Sequence, residues 1–374
     1  YTFFKTLNLD NDLPLYFYTL INFDNLFFEW SLRFDLLVSS LIVLIMFIGL
    51  SLTICLTRLL KSYEINFKIN IYISVSILSS LVLITSNNLI QFFLAWYLII
   101  LSSYLISNIS KNKVDNSNIF FQNRVSDLCF FLSLYFIYKF SNSVNFEVIF
   151  KSFQILENNI SVFNMTFRVF DTIIFILLFS FLLRCRKFYI ANSRYDLLNF
   201  ETSSYCIILY ILYLPVGLYF VLRFLSLTQI SLDYLNFLLI LGSVLTLIFS
   251  ILIIRSYNLK KLMLYIVSAQ FSILFILIGL QIYNVAVFHF FTSIISLLIL
   301  TLSFGVISSK LNYEQDVRKM GYLIIKCPSL FIFILIGFVS LLGIPYFSGF
   351  YSNKLMMFQL SLINKESYFL VFIY

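Results

Sequence analysis

The sequence predicts an all-α fold, a polytopic bundle of transmembrane helices. Three observations predict it: a composition too apolar for a water-facing surface, a series of apolar runs each long enough to cross a bilayer, and basic residues that sort to alternate loops.

Of 374 residues, 61% are hydrophobic and only 11% charged, whereas soluble domains carry about 25% charged residues. Phe and Tyr raise the aromatic share to 20%, while alanine stands only at Ala95, Ala191, Ala269 and Ala286. Such a bias fits an AT-rich, organellar genome that writes Phe, Ile, Leu, Tyr and Asn wherever lipid tolerates them. The cysteines Cys55, Cys129, Cys185, Cys206 and Cys327 are far apart and form no CxxC pair, so neither a disulfide framework nor a metal cluster is expected. His289 is the only histidine, so neither haem nor multi-histidine metal ligation is expected within this chain alone. No GxGxxG or other phosphate-cradling loop occurs, and no paired-carboxylate or Ser/His/Asp set is evident.

A hydrocarbon core about 30 Å thick needs roughly 20 apolar residues of helix, and about ten such runs follow one another here. They cover 36–57, 69–86, 88–108, 119–139, 170–190, 203–223, 234–254, 260–280, 284–308 and 327–347. Residues 1–33 read as a non-spanning N-terminal segment and 34–374 as the helical domain. A last apolar run, 368–374, is too short to span. The chain is therefore expected to be incomplete at its ends, with further residues or a separate chain supplying the missing helices.

Loop charge tests this assignment, because a wrong helix count would scatter the basic residues. Counted alternately, one side carries Arg58, Lys61, Lys68, Lys111, Lys113, Arg184, Arg186, Lys187, Arg194, Arg255, Lys260, Lys261, Lys310, Arg318, Lys319 and Lys326. The other carries Lys5, Arg33, Lys139, Lys151, Arg168, Arg223, Lys354 and Lys365. The richer side faces the compartment of synthesis. The net charge of +8 then reflects topology, and without a basic stripe no nucleic-acid partner is expected.

Polar groups inside spans are expensive and mark candidate sites. His289, Thr292, Ser293, Ser296 and Ser303 recur at helical spacing; they fit a proton or ion path, or hydroxyls that bond their own backbone and a neighbouring helix. Arg124 and Asp127 stand one turn apart and can pair, an arrangement that favours a structural role. Arg184, Arg186 and Lys187 either end a helix in interfacial water or place Arg184 at depth beside a break. Lys260 and Lys261 head a helix that also holds Gln270; snorkelling anchors and a proton path explain them equally. Pro345, Gly349 and Lys354 suggest a discontinuous helix of the kind found at ion sites in transporters.

Several strings, in order, resemble subunit 5 of mitochondrial NADH:ubiquinone oxidoreductase (complex I), an antiporter-like proton-pumping subunit. Asn312-Tyr-Glu-Gln-Asp-Val-Arg-Lys-Met-Gly321 is similar to its N-x-E-Q-D-[IMV]-R-K-M-G-G, and Gly343-Ile-Pro-Tyr-Phe-Ser-Gly-Phe-Tyr-Ser352 to its G-[MF]-P-F-L-T-G-F-Y-S. Thr85 to Trp96 resembles the stretch ending in Gly-Trp-Glu-Gly, and Asn123-Arg-Val-Ser-Asp127 resembles Asn-Arg-[IV]-Gly-Asp. Leu259-Lys-Lys261, Tyr265, Gln270, Phe288-His289 and Thr292 also fall in register.

The resemblance implies a core membrane-arm subunit of complex I in a mitochondrial inner membrane, among other membrane-arm subunits and lipid. It implies an enzyme only as part of the whole assembly, with NADH, FMN, iron–sulfur clusters and ubiquinone in other subunits and no redox centre here. Stand-alone cation/proton antiporter subunits share the scaffold, and a structural, non-pumping subunit is a further alternative.

The proton relay implied by the resemblance is eroded. The family's intramembrane Glu is replaced by Tyr97, its Lys falls at Arg184, a following His at Leu209, and in His-Ala-Phe-Phe-Lys-Ala the His falls at Ser293 and the Lys at Leu297. Arg keeps its proton at any physiological pH, Leu cannot titrate, and Tyr is a poor substitute for a carboxylate. The remaining proton-path candidates are His289, Lys260, Lys261, Lys354, Asp127 and Arg124, with Tyr97, Arg184, Thr292 and Ser293 at or beside relay positions. No catalytic or metal-binding residue is expected.

Overall fold

The computed structural model describes residues 13–23, 26–59, 63–109, 113–155, 159–162, 165–168, 172–177, 179–180, 215–224, 232–311, 314, 316–321 and 323–362. These divide into two compact units, each taken by itself.

The first unit opens on a hairpin, β1 (Leu13–Phe23) paired antiparallel with β2 (Leu26–Phe34). The helices α1 (Leu36–Leu59), α2 (Tyr63–Thr85), α3 (Leu89–Ile109) and α4 (Lys113–Ser141) follow. A short α5 (Phe146–Ile155) leads to a second hairpin, β3 (Asn159–Val162) with β4 (Met165–Arg168). Helices α6 (172–177) and α7 (215–223) complete the unit.

Successive helices α1 to α4 pack on their neighbours, and the ends carrying Asp35, Ser86–Asn88 and Asn142–Phe146 are held together. Leu32 bridges Ser86, Asn88 bridges Asn145, and the Phe146 N–H donates to the Asn87 carbonyl at 3.1 Å. Helices α1 and α3 therefore end, and α2 and α4 begin, at the opposite end. The interior is aromatic. Phe92 is in ring contact with Trp96, Phe130, Phe146, Phe220 and Phe224 at centroid distances of 5.7 to 6.3 Å, so bulky rings fill the space between helices that small residues would otherwise close.

The second unit consists of α8 (Leu232–Arg255), α9 (Leu259–Gly279), α10 (Tyr283–Lys310), the short α11 (Leu323–Lys326), α12 (Pro328–Leu342) and α13 (Ser348–Leu362). Helices α8 and α9 approach closely at two glycines. A Cβ on Gly242 would meet the Ile276 backbone nitrogen at 2.9 Å, and one on Gly279 the Leu235 carbonyl at 2.9 Å. At the other end Asn258 bridges Asp316, the Val317 N–H donates to the Tyr257 carbonyl at 3.0 Å, and the Arg318 guanidinium lies 4.0 Å over the Tyr257 ring. Arg255, Lys260, Lys261, Arg318 and Lys319 thus share one end, as the loop charges predict.

Six of the described helices are long and apolar enough to cross a membrane, namely α1, α2, α3, α8, α9 and α10. The outer faces are greasy: Val43, Phe47, Leu50 and Ile54 of α1 are exposed at helical spacing, as are Ile240, Val244, Leu247 and Ile251 of α8. Such apolar stripes suit lipid or a neighbouring subunit. The run expected over 119–139 lies within the 29 residues of α4, whose first half is too polar to be counted with these six. The runs expected over 170–190 and 203–223 fall mostly outside the described residues.

One span is shorter than expected. The run over 327–347 forms a 15-residue helix that stops at Leu342, because Gly343 takes a left-handed φ of +75° and caps it. Pro345 and Tyr346 (φ +74°) make the turn, and α13 restarts at Ser348. The discontinuity at Pro345 and Gly349 is therefore present, although as two short helices with a separate α13.

Candidate functional site

The buried polar centre of the second unit joins three helices. The single histidine, His289, sits two turns into α10 and is 5% exposed. Its Nε2 lies 3.1 Å from Oε1 of Gln270 on α9, and its Nδ1 lies 3.3 Å from Oγ of Ser352 on α13.

Local geometry places each partner. Helices α9 and α10 form a tight antiparallel pair through Gln281, whose φ is +62°; the Ile282 N–H reaches back to the Leu277 carbonyl at 3.0 Å. Gln270 and His289 therefore face each other about midway along α9. Ser352 arrives through the break, because Gly349 lets α13 cross the end of α12. A Cβ there would stand 1.8 Å from the Ser340 carbonyl oxygen. Sequence reading named the glycine and missed the serine one turn later.

Hydrogen accounting defines what this trio can do. The Ser352 hydroxyl donates to the Gly349 carbonyl at 3.1 Å, so its oxygen is free to accept from Nδ1–H of His289. Neutral imidazole then presents an acceptor at Nε2, which needs the amide NH2 of Gln270 in that place. Imidazolium presents a donor, which needs Oε1. Amide oxygen and nitrogen exchange by a half-turn of the Gln270 side chain. The site can thus hold His289 in either protonation state with both ring nitrogens hydrogen-bonded.

The hydroxyl stripe beside it is committed elsewhere. Thr292 donates to the His289 carbonyl at 2.9 Å, Ser293 to Phe290 at 3.1 Å, Ser296 to Ser293 at 2.7 Å and Ser303 to Leu300 at 2.8 Å. Each hydroxyl bonds its own helix, which helps an apolar span tolerate it. Leu297 is 1% exposed and packs as a core residue.

Lys260 and Lys261 occupy the first turn of α9, where the Asn258 side chain caps the Lys260 N–H at 3.0 Å. Ten residues of helix separate Lys260 from Gln270, about 15 Å at 1.5 Å per residue, so neither lysine touches the His289 centre. Lys354 is exposed on α13, with its ammonium 4.3 Å over the Phe350 ring.

In the first unit Tyr97, Arg124 and Asp127 come together. Arg124 Nη1 is 3.4 Å from Asp127 Oδ2, and its guanidinium lies 4.8 Å over the Tyr97 ring. The electron-rich face of the ring thus supplements the Asp127 carboxylate as a partner for this cation. Arg184 and Leu209 lie outside the described residues.

Sequence reading missed a charge network at the hairpin end of this unit. Asp35 receives Arg33 Nε at 2.8 Å and Arg223 Nη1 at 3.1 Å, and Arg33 Nη1 reaches Glu147 Oε1 at 3.7 Å. Among the described residues no group of three or more His, Cys, Asp or Glu side chains could hold a metal ion.

Comparison with known proteins places this architecture. The model of the transmembrane NADH:quinone oxidoreductase/Mrp antiporter family matches residues 86–374. The chain belongs to that family. Its curated relatives include NADH-ubiquinone oxidoreductase chain 5 of Wickerhamomyces canadensis, 27% identical over 96% of this chain and 55% of the relative. NADH-quinone oxidoreductase subunit L of Rickettsia typhi is 28% identical over 90% of this chain and 52% of the relative. The chain therefore spans about half the length of the curated relatives it matches.

Solved structures share the antiporter-like fold. The Mrp complex of a Dietzia species matches with a TM-score of 0.73 at 15% identity, over 94% of this chain and 38% of that one. An archaeal membrane-bound sulfane sulfur reductase matches at 0.70 and 20% identity, over 91% of this chain and 56% of that one. This family member is accordingly a multi-pass membrane protein.

Proposed function

We propose that this antiporter-family chain is a membrane-arm subunit of a proton-translocating NADH:ubiquinone oxidoreductase in a mitochondrial inner membrane. NADH, FMN, iron–sulfur clusters and ubiquinone would be handled by other subunits, and further helices would come from residues or a chain beyond this sequence. The observation that carries the reading is the co-linear similarity to NADH-ubiquinone oxidoreductase chain 5 over 96% of the chain, together with the Asn312 to Gly321 string.

Proton movement through the second unit would turn on His289, because its two hydrogen bonds accommodate both protonation states and Leu297 replaces the family's neighbouring lysine. In the first unit the Tyr97–Arg124–Asp127 cluster is charge-balanced and fixed, so it would position water and helices without carrying protons itself.

The test is His289→Gln in the assembled complex, reconstituted in sealed vesicles. Retained NADH oxidation with a lowered proton-to-electron ratio is expected. An unchanged ratio would favour the structural, non-pumping reading, which the backbone-committed hydroxyls of α10 support. Purification only as a small homo-oligomer without redox subunits would remove the complex I assignment.

A further inference from the structure

A second polar centre, independent of His289 and of the proposed function, lies in the first unit at the end where Asp35, Ser86–Asn88 and Asn142–Phe146 are held together. Gln91 of α3 is 0% exposed, yet neither atom of its side-chain amide has a hydrogen-bond partner. Asn87 and Asn88, one turn earlier on the same face, are also buried, and each has an unpaired Oδ1. Across the Asn88–Asn145 bridge, the Ser143 hydroxyl and Asn145 Oδ1 are enclosed and unpaired as well.

Arg223 completes the centre. Nη1 is bound to Asp35 at 3.1 Å, and the guanidinium lies 5.2 Å over the Phe146 ring, next to the residues just named. Its Nε and Nη2 remain buried and unpaired.

The geometry points to an enclosed water-binding site formed by Gln91, Asn87, Asn88, Asn145 and Arg223. Unpaired buried polar groups are costly one at a time, and here they lie on three segments of chain that the Asn88–Asn145 bridge and the Arg223–Phe146 contact bring together. Their chemistry selects the ligand. Arg223 and the Gln91 amide nitrogen offer hydrogens, while the asparagine oxygens and Gln91 Oε1 offer lone pairs. A cation would be repelled by Arg223, and an anion by Asp35 and the amide oxygens. Water both gives and accepts and is small enough to be enclosed, and buried waters characteristically bridge two to four such groups.

Protein packing does not supply the partners itself, since the groups are already anchored: Asn88 Nδ2 donates to the Glu29 carbonyl, and Asp35 holds Arg223. Six residues of α3 separate Gln91 from Tyr97, about 9 Å. Water at Gln91 would therefore carry hydration from that face towards the Arg124 cluster.

The test is radiolytic hydroxyl-radical footprinting of the assembled, full-length protein. Phe92 and Phe146 flank the centre and Phe249 packs in the second unit; all three are at most 1% exposed. Bound water predicts modification of Phe146 and Phe92 several-fold faster than of Phe249, and a loss of that excess in Gln91→Leu. Equal protection of all three rings in the unmodified protein would overturn the proposal, even if the variant failed to assemble. Labelling unchanged in an assembled Gln91→Leu would overturn it too, and so would labelling that altered when sodium was replaced by choline, since that would indicate a cation.

Discussion

The guanidinium of Arg124 lies 4.8 Å over the ring of Tyr97, at the position where the resemblance places an intramembrane glutamate. The ring does for Arg124 part of what a carboxylate would do, and Asp127 does the rest at 3.4 Å. Arg124 on α4 is thereby tied both to α3 through the ring and to its own helix through the carboxylate.

This relationship predicts that Tyr97→Phe is nearly silent, because the aromatic face remains. Tyr97→Leu should cost about 1–2 kcal/mol, the range of a partly desolvated cation–π contact. The fraction of complex that stays assembled after graded heating separates the two. Equal loss in both variants would show that Arg124 does not depend on the ring.

The crossing of α12 and α13 rests on Gly349. In Gly349→Ala the new methyl would stand 1.8 Å from the Ser340 carbonyl oxygen, backbone against backbone, so a helix must shift. The expected cost is about 3 kcal/mol or more, at the upper end of overpacking effects, with Ser352 drawn away from His289. Gly305→Ala on α10 meets nothing within 4 Å and should be neutral or stabilising by up to about 1 kcal/mol. Expression and assembly yields of the two variants, side by side, provide the measurement.

Asp35 ties Arg33 and Arg223, one before it in sequence and one far beyond, to the start of α1. Asp35→Asn keeps the shape and removes the charge, leaving two arginines that share one side of the network with Glu147. Loss of about 3 kcal/mol is expected, as for other partly buried pairs broken from one side. Protease sensitivity at the β1–β2 hairpin should rise; an unchanged digestion pattern would contradict the tie.

Ser352→Ala removes the oxygen that accepts from Nδ1 of His289 while leaving Gln270 in place. The histidine then keeps a partner on one side only. A fall in proton-to-electron ratio smaller than that of His289→Gln, with NADH oxidation retained, is the expected outcome in vesicles. A fall as large as that of His289→Gln would make Ser352 an equal member of the path.

Much of this was legible in the sequence, for physical reasons that can be named. Lipid forces continuous helix, so the apolar runs at 36–57, 88–108, 234–254, 260–280 and 284–308 come within a few residues of the ends of α1, α3, α8, α9 and α10. Proline and glycine punctuate backbone locally, so the break around Pro345 could be read directly, although its left-handed cap at Gly343 shortened the helix by more than the apolar run suggested. Arg124 and Asp127, one turn apart, needed only helical periodicity. The β1–β2 hairpin was less visible, because its residues are apolar enough to pass for an unassigned lead-in to α1.

What the sequence alone determined is the membrane fold, since this depends on hydropathy and residue type along the chain. Only the tertiary structure decided which polar groups meet. Asp35 with Arg223, His289 with Ser352, and Asn88 with Asn145 all join residues distant in the chain. Side chains in a bundle choose partners across helix faces, and the rotation and crossing of those helices are set by packing at Gly279, Gly349 and the Phe92 cluster, which no local pattern encodes.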